Sequence, residues 1–205
     1  MMQLLYSPTS PYARKVRMVL IELGLDREVQ QIACDPMGEA AKLAELVAAN
    51  PLGKVPVLIL TDGLGVFDSR VICDHLDRLA PSRGLIPIAG AHRDRVLATQ
   101  ALADGILDAA FSTVVERRRP PEERSASWLA RWEAAIRRSV AAMRNENAGE
   151  APRDLGEIAT AVALDYLLFR LPSLDWQSTN PAMADWLAGA CAWRSFGATR
   201  PPAGV

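Results

Sequence analysis

The chain has 205 residues, of which 50% are hydrophobic and 23% charged, with a formal net charge of −1. A chain of this length buries roughly 70% of its unfolded surface, so it can build a core without metals or disulfides. The even charge balance argues against a dedicated nucleic-acid binder, and no apolar run approaches the ~20 residues that span a bilayer, so neither nucleic acid nor membrane is expected as a partner.

Gln3-Leu4-Leu5-Tyr6, stopped by Ser7-Pro8, reads as a short buried strand. From Pro11 the period changes. Val16, Met18, Val19, Leu20, Leu23 and Leu25 fit a helical face, with Ser10-Pro11 as cap and first position and Gly24 as the stop. Glu28 to Ile32 is a second strand, and Gly38 to Ala49 an alanine-rich helix closed by Asn50-Pro51. Val55 to Leu60 reads as a strand, Asp62-Gly63 as a hairpin turn and Gly65 to Phe67 as its return. Asp68 or Ser69 caps a helix with Val71, Ile72, Leu76 and Leu79 on one face. Residues 1–80 therefore read βαβ–α–ββα. Pro81, Gly84, Pro87 and Gly90 punctuate a linker over residues 81–90, and residues 91–205 read as an all-helical domain. Its helices are His92 to Arg117, Ser127 to Asn145, Ile158 to Phe169 behind the capping-box spacing Asp154-Leu155-Gly156-Glu157, and Ala182 to Trp193 before a Pro/Gly-rich tail.

Three turns could carry chemistry. At Ser7 to Pro11 a strand runs into a helix start, where free N–H groups and the positive end of the helix dipole favour an anion. A thiolate suits such a place, and the Ser10 hydroxyl can donate to it; Thr9 is an alternative hydroxyl one residue upstream. At Gly53-Lys54-Val55-Pro56 a proline opens a strand, where it cannot donate to the ladder. If the Val55–Pro56 bond is cis, Val55 presents its N–H and C=O outward to an extended peptide. At Phe67-Asp68-Ser69-Arg70 a second helix start can hold a carboxylate. Each turn also has a plainer reading, since Ser10 and Asp68 can simply cap helices and Pro56 can be a loop proline.

Together these features resemble the glutathione S-transferase family over nearly the whole chain. Asn50-Pro51-Leu52-Gly53-Lys54-Val55-Pro56-Val57-Leu58 looks like that family's segment around its cis-proline, and Phe67-Asp68-Ser69-Arg70-Val71-Ile72 like its γ-glutamyl-binding turn. Asp154 to Ala161 looks like the capping motif of the central helix of its helical domain. Thr9-Ser10-Pro11-Tyr12-Ala13-Arg14-Lys15-Val16 and Ala103-Asp104-Gly105-Ile106-Leu107-Asp108 are most similar to the bacterial YibF-like subgroup. The resemblance implies a thioredoxin-like βαβ-ββα domain followed by a helical bundle. It implies glutathione as co-substrate, a small hydrophobic electrophile held between the domains, a homodimer and no metal. It places Ser10 at the sulfur as the catalytic residue and Val55, beside cis Pro56, against the cysteinyl unit. Asp68 and Ser69 then hold the γ-glutamyl group, Lys54 the glycyl carboxylate, and Tyr12 lines the electrophile pocket.

Two departures from the family pattern bear on mechanism. Ser10 is not cysteine, so a mixed-disulfide route lacks its nucleophile. No tyrosine takes its place unless Tyr6, expected in the core, or Tyr12 reaches the sulfur. Two other readings stay open: a non-catalytic binding or protein-interaction module of the stringent-starvation kind, and a glutathione-dependent peroxidase or reductase. Asp104, Asp108 and Phe111 share a helix face, and the two carboxylates are expected on a hydrated surface or edging a wet cleft. The three cysteines are too few and too scattered for a disulfide framework, which together with the absence of a secretory pattern suggests a cytoplasmic setting. Cys73 and Cys191 read as core residues, and Cys34, in a loop, as exposed.

Overall fold

The computed structural model describes residues 1–36, 40–144 and 149–202, and the chain divides into two compact units. The first is built on a four-stranded sheet in the order β2-β1-β3-β4. Strand β1 (Met2–Tyr6) pairs parallel with β2 (Val29–Ala33), and helix α1 (Pro11–Leu23) makes the crossover between them. On its other side β1 pairs antiparallel with β3 (Val57–Ile59), which turns back into β4 (Gly65–Val66). Helices α2 (Ala40–Ala49) and α3 (Ser69–Leu79) complete the expected βαβ–α–ββα order.

Both faces of this sheet are covered. Leu5 and Val57 lie opposite each other and join Cys34 and Leu46 of α2 in one buried cluster. Leu4 and Leu58, their neighbours along the strands, project the other way and are fully buried on the face where α1 and α3 pack together. Each such side chain contributes roughly 1.5–3 kcal/mol, and a one-residue slip would exchange the two faces, so the register is firmly set.

The second unit, Ala89–Trp193, contains α4 (Gly90–Arg117), α5 (Ala126–Ala142), α6 (Leu155–Arg170), α7 (Trp176–Thr179) and α8 (Pro181–Ala190). Helix α6 is its centre, buried at every residue of its first ten and packed against α4 and α8. Its start is capped as the sequence predicts: the Asp154 carboxylate accepts from the Glu157 N–H at 3.0 Å. The Glu157 carboxylate reaches back one residue further than in the usual box, to the Arg153 N–H at 2.8 Å.

Several expectations change. The strand expected over Val55 to Leu60 shortens to Val57–Ile59, because Pro56 has no N–H to give the ladder. The last expected helix ends at Ala190, α7 precedes it unforeseen, and the Pro/Gly-rich tail contains a further helix, α9 (Arg194–Ala198). From Arg194 the chain groups with the first unit, where α9 packs on α1, whereas the sequence reading assigned it to the helical domain. Cys34 is buried, not exposed, because β2 continues to Ala33 and the Cys34 N–H donates to the Tyr6 carbonyl at 2.7 Å. Cys73 is buried as expected, and Cys191 only partly so. The expected helix start at Gly38 and helix end at Asn145 lie outside the described residues. Among the described residues no helix is long and apolar enough to cross a membrane, and no group of three His, Cys, Asp or Glu side chains is placed to hold a metal ion.

Candidate functional site

The sheet register brings the three turns to one end of the first unit. Leu5 faces Val57 and Leu58 faces Val66, so the C-terminal ends of β1 and β4 flank the N-terminal end of β3. The chain leaving β1 enters α1 through Ser10, the chain entering β3 passes through Val55-Pro56, and the chain leaving β4 enters α3 through Asp68. Since α1 and α3 also pack side by side, two helix N-termini open at the same end, each equivalent to roughly half a positive charge.

Ser10 is half-buried at the N-cap of α1, and its Oγ accepts from the Ala13 N–H at 3.2 Å. Its own N–H donates to the Ser7 carbonyl at 3.0 Å, and its carbonyl accepts from the Arg14 N–H at 2.9 Å. Capping occupies a lone pair of the hydroxyl and leaves its proton to be donated elsewhere. Thr9 is turned toward Ser7, with the two hydroxyl oxygens 3.4 Å apart. Tyr12 is half-buried in the first turn of α1. Tyr6 is half-buried too and not enclosed in the core as expected, because the Arg17 guanidinium lies 4.5 Å from its ring centre. Arg17 also donates from Nε to the Gln31 side chain at 2.8 Å. Burial pulls the Arg17 pKa below its ordinary value, and its electrostatic interaction with Tyr6 opposes that shift.

The second turn is shaped by Asn50, which is 2% exposed. Its Nδ2 donates to the Lys54 carbonyl at 2.7 Å and its Oδ1 accepts from the Leu52 N–H at 3.1 Å, so one side chain closes the loop from both sides. Gly53 sits inside that loop at φ 61°, a left-handed conformation that favours glycine. The Val55–Pro56 bond that follows is cis. Val55 and, from the third turn, Phe67 both pack on the cluster of Leu5, Cys34, Leu46 and Val57, while the Lys54 side chain stands exposed. In the third turn Asp68 is exposed and caps α3, its Oδ1 accepting from the Arg70 N–H at 3.0 Å; the Phe67–Asp68 bond is also cis. Ser69, the first residue of α3, is 3% exposed.

Ser10, Thr9, Tyr12, Lys54, Val55, Pro56, Asp68 and Ser69 thus all belong to turns at one sheet end. Asp104 and Asp108 belong to the second unit and part company there, since Asp104 is 2% exposed while Asp108 is exposed. Asp104 is therefore not on a hydrated surface, one of the two placements expected for this pair. The sequence places Asn50 at a helix end and in the segment resembling the family's cis-proline turn, without giving its side chain a role; an Asn before Pro-x-Gly, whose side chain can bond backbone two residues on, is the available signal. Arg14 and Lys15, which the sequence singles out only as part of a resembling segment, are both buried.

Residues 9–79 match the family model for the N-terminal domain of glutathione S-transferase. The uncharacterized GST-like protein YibF of Escherichia coli is 32% identical over 206 residues, 98% of this chain and 99% of that protein. Among solved structures, a glutathione transferase family member from Pseudomonas fluorescens Pf-5 with bound glutathione superposes with a TM-score of 0.88 at 38% identity, covering 98% of this chain and 100% of that one. A structure of a Pseudomonas fluorescens Pf-5 family member with bound S-(propanoic acid)-glutathione gives 0.85 at 36% identity, with 100% of both chains covered. With a relative matched from end to end, and a sheet and helical unit of the same kind, this chain belongs to the glutathione S-transferase family.

Proposed function

We propose that this chain binds glutathione at the sheet end described above and uses its thiolate to attack a small hydrophobic electrophile. The observation that carries the reading is the convergence of two capped helix N-termini on either side of the Val55-Pro56 turn. In this reading Ser10 donates its free proton to the sulfur, with Thr9 and Tyr12 beside it. The Val55 main chain pairs with the cysteinyl unit, and cis Pro56 keeps that N–H and C=O out of the ladder. Ser69 and the α3 N-terminus receive the γ-glutamyl carboxylate, the Asp68 oxygen not used in capping takes its ammonium group, and Lys54 reaches the glycyl carboxylate.

The energetics suit the task. A free thiol has a pKa near ~8.5, and lowering it by about two units requires about 2.7 kcal/mol of preference for the thiolate. One hydroxyl donor to a charged sulfur contributes about 1.5–3 kcal/mol, and a helix N-terminus about 0.3–1 kcal/mol more. The thiol proton leaves to solvent. The sulfur lone pair then forms the C–S bond as the electrophile expels its leaving group or accepts the electron pair. Conjugation is favoured over a reductase reading because a relative covering the whole chain holds an S-substituted glutathione, a molecule with that bond already made.

The test is calorimetry with glutathione on the wild type and Ser69→Ala. Saturable binding is expected in the wild type, at least about tenfold weaker in the variant, as the loss of a hydrogen bond to a charged group requires. Sedimentation of the same samples tests the homodimer that belongs to this reading. A folded wild type that takes no glutathione would refute it.

A further inference from the structure

The C-terminal segment packs on the helix that carries Ser10, and the Arg14 side chain is a polar link between them. Arg14 is 3% exposed although it bears a permanent charge. Its Nη2 donates to the Phe196 carbonyl at 3.3 Å and its Nε to the Thr199 hydroxyl at 3.4 Å. Its guanidinium lies 4.3 Å from the centre of the Phe196 ring, whose surroundings also include Arg200 at 5.4 Å. The Thr199 hydroxyl in turn donates to the Ser195 carbonyl at 2.8 Å, which leaves its lone pairs for Arg14. Three kinds of contact therefore join α1 to residues more than 180 positions away along the chain.

The same residue completes the first turn of α1. The Arg14 N–H donates to the Ser10 carbonyl at 2.9 Å, so the turn from residue 10 to residue 14 is closed at one end by the cap and fixed at the other by the latch. A helix frays first at its ends, and a group that acts on a reacting atom must be held within about 0.5 Å of its productive place. We infer that Arg14 is a positioning residue: the C-terminal segment, latched through Arg14, holds the first turn of α1 so that the Ser10 hydroxyl points at the bound thiolate. This rests on the glutathione reading above. The planar guanidinium is essential to it, because only a fork can bond Phe196 and Thr199 together while stacking on the ring.

The experiment follows the ultraviolet absorbance of the thiolate in the glutathione complex against pH, alongside calorimetric affinity, for full-length Arg14→Met, Arg14→Lys, Thr199→Val and Ser10→Ala. Arg14→Met and Ser10→Ala should each move the thiol titration upward by about one pH unit, a tenfold loss of thiolate at fixed lower pH. Thr199→Val, which touches only the C-terminal side, should move it in the same direction by a smaller amount. Affinity for glutathione should change less than about threefold. Combining Arg14→Met with Ser10→Ala should add nothing further, since both act through one hydroxyl. A wild-type titration in Thr199→Val and Arg14→Met, with only the melting temperature lowered, would overturn the inference and leave glutathione binding standing. Full rescue by Arg14→Lys would overturn it by assigning the effect to charge alone. A wild type that binds no glutathione would overturn both readings together.

Discussion

Asn50→Ala tests whether one buried amide shapes the turn that presents Val55. The side chain makes two hydrogen bonds, to the Lys54 carbonyl and from the Leu52 N–H, within a loop that also holds Gly53 in a left-handed conformation. Each is part-buried, so each contributes about 0.5–1.5 kcal/mol net, and the pair about 1–3 kcal/mol. For a chain of this size 1 kcal/mol moves the melting temperature by about 2–4 °C, so a fall of about 4–8 °C is expected for a loss near the middle of that range. The effect on glutathione should be disproportionate. Without the amide the loop is free to sample other shapes, and Val55 must be ordered again on binding, which should weaken affinity about tenfold. Thermal melting and calorimetry on the same preparations measure both. Asn50→Asp sharpens the test, because it keeps the acceptor for Leu52 and sets a lone pair against the Lys54 carbonyl. It should therefore be no better than Asn50→Ala. A lowered melting temperature with unchanged affinity would show that Asn50 stabilises the unit without governing Val55.

Two further outcomes follow from packing and from titration. A Cβ on Gly65 would stand 2.0 Å from the Ala49 carbonyl oxygen, a backbone atom that can yield only if β4 leaves the end of α2. Gly65→Ala should cost about 3 kcal/mol or more, read as a lowered urea midpoint; a wild-type midpoint would refute that contact. Burial raises the Tyr166 pKa above its ordinary value, with Arg170 and then Arg118 opposing the shift. Its stabilising contribution is therefore complete below the unfolded tyrosine pKa and disappears as pH rises through the folded one. Tyr166→Phe should make unfolding free energy fall less steeply with pH above about 10, and parallel curves for the two proteins would sink this.

What was legible in the chain was what is local. Ser10-Pro11 and Asp154 through Glu157 start helices because a side-chain acceptor and a backbone donor three residues on suffice for a cap, and both are present in the structure. The alternation around Leu4-Leu5 and Val57-Leu58 was enough to place strands, since it needs only the pleat. What could not be read depends on partners distant in sequence. Phe196 and Thr199 look like parts of a loose tail until Arg14 meets them, and nothing in the local pattern marks that pairing. Cys34 looked exposed because its own neighbourhood is a loop, but Leu46 of α2 and Leu5 of β1 enclose it. The two carboxylates of α4 share a face by spacing, yet a helix packed on both sides buries one and exposes the other.

The same distinction explains why the candidate site could not be separated from ordinary helix capping in the sequence. A cap and a ligand compete only when they need the same electrons or the same proton. Ser10 caps with a lone pair and retains a proton; Asp68 caps with one oxygen and retains the other. Capping is therefore no argument against function at either place, and it is a means of preparation, because it fixes the side chain before any ligand arrives. What raises these two caps above the others in the chain is position. Ser125 and Asn180 also cap helices through their side chains, but neither stands beside a strand entry whose main chain is freed by a proline. Ser10 and Asp68 do, because antiparallel pairing of β3 with both β1 and β4 puts the two helix starts on either side of Val55-Pro56. The register of three short strands, and no single motif, brings two common caps and one loop proline to one sheet end, and that juxtaposition is what the glutathione proposal rests on.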